Sequence, residues 1–354
     1  MKLNDLDHIH AIDKERMIDH INGLPEQLES AYALGLSLPL PEWHGIRRIL
    51  VAGMGGSTIG ADLLAAYAAS LSAAPILLHR DYDLPHWASG EDTLVICSSH
   101  SGNTEETLTA FSMAREHRCR ILAVTTGGEL AKQAATAGIP VWQFDYPSQP
   151  RAAIGYSFGL LLAAIFRLGL IPNPTADLQL ALLAMRNQRG ALRAEVPDIR
   201  NSSKRMAGQF YGRWISVFGS GFLAPVARRW KAQINEHAKA QASFEELPEA
   251  CHNTLQGIEQ PRAQYDHSMY IWLRSPLNHP RNQLRDEHTR VAMMVEGINT
   301  DFVMASGEGR LAHMWTLIQY GDYTAYYLAI AYGLDPTPVP MLVELKEKMT
   351  TNDA

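Results

Sequence analysis

Short, β-branched apolar runs alternate with longer Ala/Leu-rich segments of helical period through the first half of the chain. The runs RRILVAG (47–53), PILLHR (75–80), DTLVICS (92–98), RILAVTT (120–126) and PVWQFD (140–145) predict strands. The segments between them predict helices near 57–70, 103–117 and 129–137. Strands this apolar, separated by helices, belong to a parallel sheet covered on both faces. An amphipathic segment precedes them, and LGLIPNPTADL (168–178), with two prolines and a helix start at Thr175, reads as a linker.

The second half begins again. RWISVFGSGFLAPVARRW (213–230) has the strand, glycine turn and amphipathic helix of RRILVAGMGGSTIGADLL (47–64), so an internal duplication aligning Gly219 with Gly53 is expected. MYIWLR and TDFVMAS supply later strands, residues 311–333 a long apolar-faced helix, and DPTPVP leads into a last helix at 341–349. The expected fold is α/β, two doubly wound lobes, each a parallel sheet flanked by helices, with a C-terminal helix. The expected division is an N-terminal helical segment (1–30), a first lobe (31–170), a second lobe (171–336) and the C-terminal helix (337–354).

Composition narrows the partners. The chain has 354 residues, enough for two domains with proper cores. Its formal charge is −6 and it has no run of Lys or Arg, so neither nucleic acid nor an anionic membrane is an expected partner. The longest apolar stretches, such as FGLLLAAIF, fall well short of the ~20 residues that span a bilayer. Cys97, Cys119 and Cys251 have neither zinc-site spacing nor an even count for disulfides, which suits a reducing, cytoplasmic setting.

Two loops carry candidate chemistry. GMGGS (53–57) and SSHSGNT (98–104) follow predicted strands, where ligands of open parallel sheets bind against helix N-termini. Glycine admits close approach of an anion and hydroxyls add donors, so Gly55, Gly56, Ser57, Ser99, Ser101 and Thr104 are candidates for holding one phosphate group. The plainer alternative is that Ser101 and Thr104 only cap a helix whose first turn holds Glu105 and Glu106. A nucleotide P-loop would need Lys and then Ser or Thr after GGSTIG, where Ala61 and Asp62 stand. A dinucleotide loop starting at Gly53 would need glycine at Thr58, although Asp81 after the second strand keeps that reading open.

GMGGSTIGAD, SSHSGNTEET and QPRAAIGY (149–156) together resemble the sugar isomerase (SIS) fold, and more narrowly the bifunctional phosphoglucose/phosphomannose isomerase family. WKAQINEHAK, FEELPEACHNTLQGIE and GDYTAYYLAIAYGLDPTPVPMLVELKEKM resemble that family in order and spacing, over nearly the whole chain. The resemblance implies an aldose–ketose isomerase exchanging glucose 6-phosphate and mannose 6-phosphate with fructose 6-phosphate through an enediolate. Glu236 matches the catalytic base, Arg151 the active-site arginine, His252 the ring-opening histidine and Lys346 an active-site lysine. It further implies a homodimer in which His252 reaches the neighbouring subunit's site. Tyrosine is usual at His100 and asparagine at Cys251, which puts the fine shape of the pockets in question. His8 and His10 lack further ligands in any motif, so neither a metal nor a cofactor is expected. The alternative is a non-catalytic sugar-phosphate regulator, which would carry a basic helix-turn-helix that the residues before the first strand do not resemble.

Overall fold

In the computed structural model, which describes residues 2–351, five parallel strands form the first sheet: β1 (Arg48–Ala52), β2 (Ile76–His79), β3 (Thr93–Ser99), β4 (Arg120–Thr125) and β5 (Val141–Gln143). Their order is β2-β1-β3-β4-β5. Every residue of the central β3 is buried, as its unbroken apolar pattern requires. The expected helices are present as Gly55–Ala68, Glu105–Glu116 and Gly128–Thr136. β5 is shorter than its sequence suggested, because it pairs on one side only, with β4.

The second sheet is also wholly parallel: β6 (Trp214–Ser220), β7 (Ala242–Leu247), β8 (Ser268–Arg274) and β9 (Asn299–Met304), in the order β7-β6-β8-β9. β7 was not among the expected strands. ASFEEL is too polar to read as a buried strand, and the structure places it at the sheet edge, where charge discourages pairing with another chain.

One apolar core runs through both sheets. It includes Ile49 and Val51 of β1, Ile215 and Val217 of β6, and residues of the helices Ile154–Arg167, Ala224–Ala238 and Gly309–Tyr332. A helix starts at Thr175 as expected and runs to Leu192. At the N-terminus, Leu6–Ile12 and Met17–Asn22 precede a third helix, Leu24–Ser37, which crosses the expected boundary at residue 30. Asp13 accepts hydrogen bonds from the amides of Met17 (2.7 Å) and Ile18 (3.0 Å) and from the hydroxyl of Tyr326 (2.9 Å), tying this region to the far end of the chain. The last helix, Pro340–Thr351, leaves Met341, Leu342, Val343 and Leu345 exposed. No helix among the described residues is long and apolar enough to cross a membrane.

The helices Ala224–Ala238 and Gly309–Tyr332 meet where Gly321 lies under the indole of Trp230, whose Nε1 donates to the Leu317 carbonyl (2.8 Å). A Cβ at Gly321 would collide with that indole nitrogen. Gly321→Ala should therefore destabilise the fold by about 1–3 kcal/mol through overpacking, read as a lower denaturation midpoint at unchanged slope; an unchanged midpoint would show that the indole yields freely.

Candidate active site

The strand order reverses between β1 and β3, and both glycine-serine loops leave the carboxyl ends of those two strands. That crevice is where open α/β sheets take ligands. Gly53 is pressed against the Ser98 carbonyl oxygen, so no side chain fits there. Gly55 adopts φ +49°, a left-handed conformation that glycine takes without strain. A Cβ on Gly56 would lie 2.8 Å from the Pro150 carbonyl oxygen and 2.9 Å from the Arg151 nitrogen, so this loop packs directly on the 3-10 turn Pro150–Ala153.

The hydroxyls hold the loops to one another. The amide of His100 donates to Ser57 Oγ (3.1 Å), and Ser98 Oγ donates to the Ser57 carbonyl (3.4 Å). Ser99 Oγ pairs with Thr104 Oγ1 (2.8 Å) and accepts from the Gly102 amide (3.1 Å), while Ser101 Oγ accepts from the Asn103 amide (3.2 Å). Thr104 stands at the N-cap of Glu105–Glu116, yet its side chain bonds no helix amide, so simple capping does not account for these residues.

Arg151 joins this crevice to the second half of the chain. Its side chain is 2% exposed, with Nη1 3.5 Å from Glu236 Oε2, while the carboxylate it faces is 28% exposed. Its Nη2 donates to the carbonyls of Pro336 (2.9 Å) and Thr337. Burial pushes the Arg151 pKa down and the Glu236 charge pulls it back up. Glu236 lies in the last turn of Ala224–Ala238. Two turns earlier on that helix, Arg229 Nη2 donates to the Arg151 carbonyl (3.0 Å) and to Asp322 Oδ2 (2.7 Å). Arg229 and Asp322 are almost wholly buried, and burial raises the Asp322 pKa against the opposing pull of Arg229. His237 is fully buried too, and its pKa lies well below the usual value through burial first and then Arg151, Arg229 and Lys239. The imidazole beside Glu236 is therefore neutral near pH 7.

The structure thus brings the two loops, Arg151 and Glu236 together. His252 is elsewhere: it is exposed in the turn Glu249–His252 after β7, and no hydrogen bond or ion pair among the described residues links it to Glu236 or Arg151. Lys346 is exposed on Pro340–Thr351. The His100 ring, edge-on to Phe144 at 5.8 Å, has its pKa lowered by burial and leaves Nε2 without a partner. With Ser57, Ser98 and Ser157 it lines a small enclosed cavity under the loops. Cys251 packs against the cluster containing Leu247 and Trp272. Among the described residues no three His, Cys, Asp or Glu side chains group as a metal site.

Sequence reasoning did not single out Arg229, Asp322, His237 or Lys239. A signal existed for Asp322, the one charged side chain between Arg310 and Asp335 in an otherwise apolar helix.

The bacterial phospho-glucose isomerase C-terminal SIS domain family matches residues 199–349. A bifunctional phosphoglucose/phosphomannose isomerase of Caldicellulosiruptor bescii is 36% identical over 337 residues, 94% of this chain and 98% of that protein. The chain belongs to the bifunctional phosphoglucose/phosphomannose isomerase family. It is an enzyme of the aldose–ketose isomerase type. Another family member, from Aquifex aeolicus, is 30% identical over 87% of this chain and 94% of its own. The fold is shared with a glucose-6-phosphate isomerase like protein from Thermus thermophilus, with a TM-score of 0.66 at 21% identity, covering 96% of this chain and 98% of that one.

The Arg229–Asp322 pair yields a stability prediction for this family member. Asp322→Ala strands a buried guanidinium and should cost about 3–5 kcal/mol, measured by chemical denaturation; a cost below about 1 kcal/mol, the level of an exposed pair, would mean that Arg229 is not desolvated.

Proposed function

We propose that this isomerase interconverts glucose 6-phosphate and mannose 6-phosphate with fructose 6-phosphate through a cis-enediolate, with Glu236 as the base. The observation that carries the reading is the contact of Arg151 with Glu236 at the mouth of the two loops. The phosphate binds at Gly55, Gly56, Ser57, Ser99, Ser101 and Thr104, where the start of Gly55–Ala68 offers the amides of Gly55 and Gly56 and the hydroxyls of Ser57, Ser99 and Thr104 are held by hydrogen bonds. Pinned there, the hexose extends toward the second half of the chain and meets Glu236.

Proton transfer between C1 and C2 needs one carboxylate that takes the proton and returns it. Glu236 suits this because it is open enough to reach a ligand and is held beside a cation, whereas Asp322 is sealed against Arg229. Arg151 stabilises the charge that develops on the enediolate oxygens, a fixed cation in a buried setting being worth most when negative charge appears in the transition state. Glucose and mannose differ at C2 alone, so one base serves both when the enediolate is reprotonated on either face. His252 opens the sugar ring from a second copy of the chain, consistent with its exposed place away from Glu236, and Lys346 completes the site.

Purified protein should convert both aldose phosphates to fructose 6-phosphate, and failure with both would reject the reading. Glu236→Gln should lower kcat by ~10²- to 10⁴-fold while sugar-phosphate binding remains measurable by calorimetry; normal turnover in that variant would remove Glu236 from the mechanism.

A further inference from the structure

Three consecutive carbonyls, those of Asp335, Pro336 and Thr337, point at two cations of the site. Arg151 Nη2 takes the carbonyls of 336 and 337. Lys239 Nζ takes that of 335 at 2.5 Å and, with a second N–H, that of His237 at 3.0 Å. The Thr337 amide donates to Asp335 Oδ1 (3.0 Å), which fixes the turn of this strap and occupies the Asp335 carboxylate. Lys239 is therefore held by carbonyl oxygens and not by a carboxylate, three residues beyond Glu236.

The backbone of Lys239 adds a second observation. It sits at the C-cap of Ala224–Ala238 with φ +52° and ψ 28°, and its amide closes the helix on the Ile234 carbonyl. Glycine occupies that left-handed position at no steric cost and is the usual residue there. A lysine there carries a backbone cost that glycine would not, as do Arg16, Asp83 and Arg118 elsewhere in the chain; what sets Lys239 apart is the pair of carbonyls its ammonium holds. The residue as a whole is exposed, yet its ammonium folds back between the end of the base's helix and the strap that seats Arg151.

We propose that Lys239 is a positioning residue of the isomerase: by clamping the carbonyls of His237 and Asp335 it fixes the end of the Glu236 helix against the strap that holds Arg151. This rests on the assignment of Glu236 and Arg151 proposed above. Its chemistry makes the clamp sensitive to pH. Burial of the ammonium and the Arg151 charge push its pKa down to about 8, while Asp335 and Glu236 pull the other way, and the neighbouring His237 is neutral. The cation is thus present at pH 7 and lost as the pH rises through about 8, where a neutral amine holds two carbonyls less firmly than a charged donor does. The phosphate loops do not depend on it.

The test is kcat and KM for fructose 6-phosphate from about pH 6.5 to 9.5 in wild type, Lys239→Arg, Lys239→Met and Glu236→Gln. The wild type should lose kcat near pH 8 with KM nearly constant. Lys239→Arg, whose guanidinium stays charged over this range, should keep most of kcat and move the alkaline limb above pH 9. Lys239→Met should lose roughly tenfold in kcat, the scale expected of a slightly misplaced base, and show no limb near pH 8. An identical alkaline limb in wild type and Lys239→Arg, or wild-type kcat in Lys239→Met beside an inactive Glu236→Gln, overturns the proposal alone. If Lys239→Met has no thermal unfolding transition, the limb of the arginine variant decides. An active Glu236→Gln, or a wild type without turnover, overturns the underlying assignment and this proposal with it.

Discussion

A single buried guanidinium sets the geometry of the candidate site. Arg229 comes from a helix of the second half, binds the main-chain carbonyl of Arg151 from the first, and is neutralised by Asp322 from a third element. Each partner constrains the others. A buried arginine without a counter-charge is strongly destabilising, so the apolar helix Gly309–Tyr332 has to present a carboxylate there. Once the Arg151 backbone is fixed, its side chain is free to face Glu236 and the carbonyls of 336 and 337. The Glu236 carboxylate and the Arg151 guanidinium are thereby set relative to each other by buried groups.

The crevice between β1 and β3 is preorganised in the same sense. Ser57, Ser99 and Thr104 are bonded within and between the two loops, so the loops hold their positions through their own hydrogen bonds. The close approaches at Gly53 and Gly56 bring the loops and the Pro150–Ala153 turn into one layer, which explains why glycine stands at both places. Sheet topology supplies the location, helix starts supply the amides, and glycine supplies the room.

The first sheet was legible in the chain because its central strands β1, β3 and β4 are apolar on both faces and helices lie between most of its strands. β7 was not, since an edge strand needs little apolar surface and ASFEEL carries two glutamates. The prolines of LGLIPNPTADL (168–178) marked the break before the helix at Thr175, but the shared core beneath both sheets was not visible, because which apolar faces meet depends on contacts far apart in sequence, such as Ile49 and Ile215 in one cluster. For the site, motifs identified Arg151 and Glu236, and the structure puts them 3.5 Å apart. Lys239 lay inside a motif that drew attention to its neighbour instead, and its left-handed backbone becomes visible only in three dimensions.

The central claim is that the first-half loops hold a phosphoryl group while the second half supplies the carboxylate. The most direct measurement is a crystal structure of the protein with fructose 6-phosphate bound. The account predicts phosphorus over the amides of Gly55 and Gly56 and the hydroxyls of Ser57, Ser99, Ser101 and Thr104, with C2 within reach of Glu236. A phosphoryl group lodged at any other place, or a sugar chain directed away from Glu236, would contradict it.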